Sequence, residues 1–228
     1  MNRTQQEIAD SVYRIMSFDR LIEIFKTGEL FLSHPSNWDD PYETFLPHKH
    51  EAAFFAQCWC KNGVSDAMWR IYSPNQLGVR IRTTRTILAS ELAEASKKMK
   101  FRFHILDVNY VPQSVLSSRI HAAGSRLAKR FNQTVASKAL ALKREAFAHE
   151  AEVRVVAHPV SLKGEFRPSN GIRVPIDPFN LIRGILVDPR APDAFVEAYS
   201  VYLKSKVGYK RPVRRSLLYA GPEPLDVP

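Results

Sequence analysis

Glu150-Ala151-Glu152-Val153-Arg154-Val155-Val156 is the stretch that decides the fold of this chain. In an extended strand successive side chains point to opposite faces, so Glu150, Glu152 and Arg154 share one face while Val153, Val155 and Ala157 share the other. The valine face predicts contact with a hydrophobic core. The charged face predicts a polar cleft or surface, because an ionised group buried without a partner is costly.

Short apolar segments with turn residues between them recur along the whole chain. They predict an α+β fold, a single domain over residues 1–220 with mixed and antiparallel sheets and helices clustered around them. Residues 221–228 contain three prolines and are predicted to form a mobile tail. The predicted strands are 12–15, 29–33, 54–60, 78–82, 104–110, 152–157, 173–176 and 181–187, and the predicted helices are 17–28, 65–72, 86–98, 116–147 and 194–206.

Composition is that of a globular protein, with 45% hydrophobic and 25% charged residues among 228. No apolar run approaches the roughly 20 residues that span a bilayer, which predicts no membrane contact. The first residues, Met1 to Glu7, lack the apolar stretch of a signal peptide, so a cytoplasmic location is expected.

The charge distribution points to an anionic partner. The net charge is +10, and residues 108–144 contain no Asp or Glu. This basic stretch predicts contact with nucleic acid, because phosphates attract clustered Lys and Arg side chains. A solvated helix face is the alternative. The candidate residues are Arg119, Arg126, Lys129 and Arg130, and a second basic group near the C-terminus comprises Lys204, Lys206, Lys210, Arg211, Arg214 and Arg215.

Two charged motifs on strands have both structural and functional interpretations. Glu150 and Glu152 lie at a solvent-facing strand edge, or they are carboxylates held on a rigid element, where a neighbouring Arg154 orients them to bind a ribose or act as a base. Arg14, after Tyr13, pairs with an acid, or its planar guanidinium grips a phosphate or carboxylate.

Two further motifs also have both a structural and a functional interpretation. The composition of Asn37 to Glu43 predicts a turn. Its carboxylates, Asp39, Asp40 and Glu43, could instead hold the metal of a metal-dependent nuclease. This function is the least supported, and no metal is predicted. Trp69 and Tyr72 are spaced i and i+3 on a predicted helix. They either pack in the core or stack on a nicotinamide, adenine or nucleobase.

In this order the motifs resemble a widespread family of uncharacterised bacterial and phage domains, the DUF2971-like proteins. The resemblance spans about residues 12 to 156 and carries no activity with it. The matching residues are Tyr13-Arg14, Gly28, Leu32-Ser33-x-Pro35, Asp39-Asp40-Pro41-Tyr42-Glu43, Met68-Trp69-x-x-Tyr72, Gly78-Val79-x-Ile81 and Glu150-x-Glu152-x-Arg154.

The layout is also similar, more distantly, to that of mono-ADP-ribosyltransferases. This likeness implies an ADP-ribosyltransferase-like fold with NAD as substrate. It implies that Arg14 holds a phosphate or ribose of NAD, that Glu152 hydrogen-bonds the ribose and favours an oxocarbenium-like transition state, and that Glu150 positions or deprotonates the acceptor. The implied catalytic residues are Glu152, Glu150 and Arg14, and the implied NAD-binding residues are Tyr13, Arg14, Trp69, Tyr72 and Arg154.

Two main hypotheses follow. The first is an NAD-consuming transferase or glycohydrolase that acts as a toxin or phage-defence effector on a nucleic-acid acceptor. It requires the Tyr13-Arg14 and Glu150/Glu152 motifs to converge in one cleft. A non-catalytic nucleic-acid-binding or interaction module requires the two basic groups to form one continuous surface, with the two glutamates salt-bridged and dry.

Overall fold

The computed structural model of the chain describes residues 9–43, 48–163, 166 and 169–222. Within these residues the strands form a nine-stranded sheet and a separate two-stranded sheet. The strands are β1 (Ser11–Met16), β2 (Glu29–Ser33), β3 (Phe55–Cys60), β4 (Val79–Thr84), β5 (Phe101–Asp107), β6 (Asn109–Val111), β7 (Leu142–Arg144), β8 (Glu152–Pro159), β9 (Gly171–Pro175), β10 (Gly184–Val187) and β11 (Val213–Arg215).

Helices connect these strands and cover both faces of the large sheet. Among the described residues, no helix is both long and apolar enough to cross a bilayer. The helices are α1 (Phe18–Thr27), α2 (Asp66–Tyr72), α3 (Arg85–Met99), α4 (Gln113–Lys129), α5 (Gln133–Ala139), α6 (Pro178–Leu181) and α7 (Asp193–Tyr202), and shorter helical turns lie at Pro35–Asn37, Pro41–Glu43, Glu51–Ala53, Glu145–Glu150, Leu203–Val207 and Leu217–Tyr219.

The large sheet is mixed. One path of neighbouring strands runs β11-β10-β4-β1-β3-β2-β9, and β8 pairs with both β3 and β5. All pairs in it are antiparallel except β10 with β11, and the small sheet is the parallel pair β6 and β7. The predicted α+β class with a mixed sheet and surrounding helices is therefore confirmed. The domain boundary at residue 220 stays a prediction, and residues 223–228 of the predicted tail lie outside the described residues.

One face of the large sheet carries the main hydrophobic core. Val79 of β4 and Val153 of β8 point to this face and are fully buried. They belong to one cluster with Leu21 of α1 and with Leu88 and Leu92 of α3, whose i, i+4 spacing places them on a single helix face. Burial of each such leucine stabilises the fold by about 1.5–3 kcal/mol.

A smaller core lies on the opposite face, over β3 and β8. Ala56 and Val156 are paired across these two strands. They cluster with Leu127 of α4 and Ala136 of α5. Helices α4 and α5 thus cover the β3–β8 part of this face, while the charged residues of β8 emerge at its border.

The large sheet divides at β3. Along one edge β3 pairs with β8 from Phe55 to Cys60. Along the other edge it pairs with β2 at Ala56 and with β1 at Cys60. Between these two pairing points the Arg14 guanidinium hydrogen-bonds to β3, since its Nη1 donates to the carbonyl oxygen of Cys58 at 2.5 Å. We call this division of the sheet at β3 the fork. It contains a cationic side chain, that of Arg14, between strands of the sheet.

Helix α1, which connects β1 to β2, begins and ends as its sequence predicts. Ser17 is the residue before the first helical turn, and Gly28 follows the last turn with a φ of 68°. This left-handed conformation favours glycine, and the Gly28 N–H donates to the carbonyl oxygen of Ile24 at 2.9 Å.

The long helix predicted over residues 116–147 is wrong. Helix α4 ends at Lys129, α5 follows it, and residues 142–144 form β7. The break lies at Asn132, whose Oδ1 accepts a hydrogen bond from the Val135 N–H at 3.1 Å and caps α5. Gly124 lies inside α4 and does not end it. Apolar periodicity continues through the break because α4 and α5 pack on the same small core.

Candidate functional site

A cleft of about 580 Å³ opens at the fork in the large sheet. Its walls come from β1, β3 and β8, from α2, from the loop over residues 37–43 and from residues 143–150. Five of the residues predicted to form a site line it together: Arg14, Tyr72, Glu150, Glu152 and Arg154. The structure therefore brings the early arginine and the late glutamates into one cleft.

Glu152 and Arg154 project from the same face of β8, as the alternation predicts. Glu152 Oε2 accepts hydrogen bonds from Arg154 Nε at 3.0 Å and from Nη2 at 2.6 Å. The Glu152 backbone N–H donates to the hydroxyl of Tyr110 at 2.8 Å, which fixes the first residue of the strand. Burial tends to raise the pKa of Glu152, but attraction to Arg154 and Lys143 outweighs it and holds the pKa below its usual range.

Lys143 lies among three carboxylates. Its Nζ is 2.5 Å from Glu150 Oε2, 3.4 Å from Glu43 Oε1 and 3.6 Å from Glu152 Oε1. The Lys143 side chain is only 6% exposed. Its ammonium group therefore compensates the negative charge of Glu43, Glu150 and Glu152 in the protein interior.

The two glutamates have pKa values shifted in opposite directions. Burial raises the pKa of Glu150, the hydrogen bond from Lys143 counters this effect, and the negative charge of Glu152 adds to the increase. The buried group holds the carboxylates of Glu43, Glu150 and Glu152 against the cations of Lys143 and Arg154. With one carboxylate in excess, Glu150 is the member that takes up a proton most readily, and Glu152 remains ionised.

Arg14 differs from the other cations of the cleft. It is half-buried, and no ion pair joins it to a carboxylate among the described residues. Burial lowers its pKa, and the negative charge of neighbouring groups, Glu152 among them, partly offsets that effect. A guanidinium stays protonated in proteins. Among the described residues Arg14 donates through Nη1, to Cys58, and its Nε and Nη2 remain as donors for an anion.

The two aromatic residues of α2 occupy different environments. Tyr72 lines the cleft and is 43% exposed, whereas Trp69 is 1% exposed and does not line it. Tyr13 lines a smaller adjoining pocket of about 80 Å³, together with Arg14, Tyr72 and Glu152. Its ring lies 4.7 Å from the guanidinium carbon of Arg80. Tyr72 is thus the aromatic ring of α2 that is available for stacking in the cleft.

The acidic loop at residues 37–43 contacts arginines. Asp40 accepts hydrogen bonds from Arg144 Nη2 at 3.0 Å and from Nε at 3.3 Å, and Glu43 contacts Arg154 Nη2. The Trp38 ring lies 4.4 Å from the Arg154 guanidinium carbon. In the described ranges, no group of three or more His, Cys, Asp or Glu residues is arranged to hold a metal ion. The loop carboxylates thus anchor the cleft wall to β7 and β8.

Sequence reasoning missed Lys143 as a site residue. Lys143 and Arg144 end the acid-free stretch that predicts a nucleic-acid-binding surface, yet both line the cleft. The sequence contains one indication of this role, because Lys143 and Arg144 lie only a few residues before Glu150. Cys58 also lines the cleft, but burial raises the pKa of its thiol to about 12, so it is un-ionised and a poor nucleophile at neutral pH.

The basic residues predicted to bind nucleic acid do not line the cleft. All of them are exposed, on α4 or directly after it: Arg119, Arg126, Lys129 and Arg130. The C-terminal basic group lies around β11, which is separated from β3 by β10, β4 and β1. The two basic groups therefore lie over different parts of the sheet, with the cleft between them.

The family model for a protein of unknown function, DUF2971, matches residues 68–155 of this chain. The resemblance to that family is thus confirmed over the segment that contains α2 and the charged start of β8. No curated protein matches the sequence.

Solved structures of DarT from Thermus sp. 2.9 are similar to this chain. The complex with NAD+ is 13% identical with a TM-score of 0.42, and the similarity covers 91% of this chain and 96% of that chain. The complex with ADP-ribosylated ssDNA is 12% identical with a TM-score of 0.41, covering 91% and 93%. The complex with carba-NAD+ is 12% identical with a TM-score of 0.40, covering 91% and 95%.

Proposed function

We propose that this protein is an NAD-consuming, ADP-ribosyltransferase-like enzyme that modifies an anionic nucleic-acid acceptor, as a toxin or phage-defence effector. The observation that carries the proposal is the composition of the cleft. One arginine that has no carboxylate partner in the described part of the chain, one half-exposed tyrosine and two glutamates with opposite pKa shifts line the same space.

Arg14 is proposed to bind the diphosphate of NAD. The diphosphate is the charged part of the dinucleotide, and a guanidinium donates to two phosphate oxygens at once. The other cations of the cleft already contact carboxylates: Lys143 contacts Glu150, Arg144 contacts Asp40 and Arg154 contacts Glu152. Arg14 is therefore the cation whose charge an incoming anion would compensate.

Tyr72 and Glu152 are proposed to act at the nicotinamide riboside. The exposed Tyr72 ring offers a face on which the nicotinamide ring stacks. Glu152 Oε2 accepts both hydrogen bonds from Arg154, while Oε1 lies 3.6 Å from Lys143 Nζ. Oε1 is thus the oxygen available to accept a hydrogen bond from a ribose hydroxyl and to stabilise positive charge on the ribose.

The reaction breaks the bond between the ribose C1′ and the nicotinamide nitrogen. The bonding electrons leave with nicotinamide, and the ribose develops oxocarbenium character that the ionised Glu152 stabilises. A nucleophilic oxygen or nitrogen of the acceptor then bonds to C1′, and its proton passes to Glu150. The raised pKa of Glu150 suits this role, because it makes Glu150 a stronger base than an ordinary carboxylate.

A non-catalytic nucleic-acid-binding or interaction module is the second candidate. It is favoured by the contacts of Glu150 and Glu152, which are ion-paired and at most 5% exposed. The separation of the two basic groups by the cleft argues against the single continuous surface that this function requires.

The two candidates are separated by incubating the purified protein with NAD, with and without tRNA or DNA, and measuring nicotinamide release. Release supports the enzyme, and dependence on nucleic acid identifies the acceptor class. No release under any condition, combined with salt-sensitive retention of nucleic acid, would establish the binding module instead.

Arg14→Gln is expected to weaken NAD binding by about tenfold to a hundredfold. The variant loses one charge-assisted contact, which contributes about 1.5–3 kcal/mol, while the shorter glutamine keeps a polar but uncharged side chain at this position. Isothermal titration calorimetry with NAD measures the change. Arg20→Gln is the matched control, because Arg20 is an exposed residue of α1 paired with Glu23. Equal NAD affinity in wild type and Arg14→Gln would remove Arg14 from the site.

A further inference from the structure

Five arginines line a second groove, of about 330 Å³, on β4, β10 and the segments beside them. This arginine groove is formed by Arg80, Arg82, Arg183, Arg211 and Arg214, and its remaining lining residues are Gly184, Ile185, Leu186 and Pro212. We propose that the arginine groove binds the phosphate backbone of a nucleic-acid single strand, the acceptor of the reaction, and that α4 does not.

Strand register explains why the guanidiniums converge. Arg80 is paired with Leu186 of β10, and Leu186 is paired with Arg214 of β11, so the three side chains form one row on the same face. Arg82 is paired with Gly184, which has no side chain to occupy the groove. The opposite face of these strands holds core residues such as Ile81 and Val187.

The charge of the arginine groove is uncompensated. No carboxylate lines it, and within the described residues none of its five arginines forms an ion pair. Arg211 donates to uncharged groups, among them the carbonyl oxygens of Phe179 and Ile182 at 2.9 and 3.2 Å, and the buried Nε of Arg80 has no hydrogen-bond partner among the described residues. Like charges gathered in this way repel one another, so a bound polyanion lowers their energy.

The dimensions favour a chain of phosphates over a single one. Arg80 and Arg82 are two residues apart on a strand, which separates them by about 6.7 Å, and Arg214 lies two strands away, at about 10 Å. The five arginines are therefore spread along and across the groove, so a chain of phosphates can pair with more of them than a single phosphate can. Repeated cations along a groove, here with the Tyr13 ring beside Arg80, belong to the arrangement that binds single strands without sequence preference.

The arginine groove leads to the candidate active site. Arg80 lines both the groove and the small pocket that contains Tyr13. That pocket in turn shares Arg14, Tyr72 and Glu152 with the cleft. A strand held in the groove is thus directed towards the glutamates. Its role as acceptor rests on the proposed function, whereas its binding is measurable without NAD.

The test compares two charge-reversal variants of equal net charge. Arg82→Glu/Arg214→Glu alters the groove, and Arg119→Glu/Arg126→Glu alters α4. Binding of a fluorescent oligodeoxythymidylate is followed by anisotropy over a range of salt concentrations, without NAD. If the five arginines contact phosphates, the wild-type slope of log K against log salt is about −3.5.

The groove variant is expected to lose about tenfold or more in affinity and to have a slope shallower by about 1.4, with the α4 variant close to wild type. Thermal unfolding checks that both variants are folded; Arg82→Gln/Arg214→Gln replaces the groove variant if it is not. Equal losses in both variants, a loss confined to the α4 variant, or no binding by wild type would overturn the proposal. Equal displacement by poly-glutamate would overturn the assignment to nucleic acid. Nicotinamide release without oligonucleotide binding would overturn the groove and leave the proposed enzyme standing.

Discussion

Replacing Glu152 by glutamine is expected to reduce nicotinamide release from NAD by about a hundredfold to a thousandfold. The substitution keeps the size and the hydrogen-bonding oxygen of the side chain but removes its negative charge. Loss of one preorganised electrostatic contact to a transition state has effects of this size. Release is measured at saturating NAD, so that a change in binding does not hide a change in the rate constant.

The fold of Glu152→Gln is expected to survive because of the local charge balance. Three carboxylates face two cations in the buried group, so the variant leaves Glu43 and Glu150 opposite Arg154 and Lys143. Glu94→Gln is the matched control, since Glu94 is an exposed residue of α3 paired with Lys97. Unchanged turnover in a folded Glu152→Gln protein would exclude Glu152 from the reaction.

Lys143→Met is expected to destabilise the protein by about 3 kcal/mol near neutral pH. Methionine keeps the length of the side chain but leaves Glu43, Glu150 and Glu152 with Arg154 alone. Removing one partner of a buried ion pair is costly because the remaining charge is uncompensated. Chemical denaturation measures the difference, and Lys97→Met, on the surface of α3, is expected to change stability by less than about 1 kcal/mol.

The destabilisation by Lys143→Met is expected to shrink in acid. Burial already raises the pKa of Glu150, and loss of the ammonium raises it further. A carboxyl group whose folded pKa is raised costs stability above that pKa, and the cost disappears as the pH falls to the unfolded value. Unfolding at about pH 8 and about pH 5 tests this behaviour. A difference from wild type that grows in acid would show that Lys143 does not compensate the glutamates.

Local sequence patterns predicted much of the fold. Alternation on β8 placed Glu152 and Arg154 together because a strand has a strict period of two, and Gly28 marked the end of α1 because its conformation there is left-handed. The break at Asn132 was missed because one side-chain cap outweighs a continuing apolar pattern.

The site was less predictable because long-range packing assembles it. Nothing local indicates that Arg14 fills a gap beside Cys58, or that Lys143 turns inward while Arg119 stays in solvent. Helical spacing also failed to separate Tyr72 from Trp69, since i and i+3 positions lie near each other but differ in what covers them. Clusters of charged residues in the sequence thus indicated candidate site residues, but the packing of the surrounding helices and strands determines which cluster lines a cleft.

The fork at β3 makes the width of the cleft depend on few contacts. Strand β1 is joined to β3 by the Tyr13–Cys60 pair and by the bond from Arg14 to Cys58. The two hydrophobic cores lie on opposite faces of the sheet and do not include these contacts. Substitutions at position 14 and beside it can therefore widen or narrow the entrance without repacking either core. Related proteins built on this scaffold could diverge in the bulk of the ligand they admit while retaining a common stable framework.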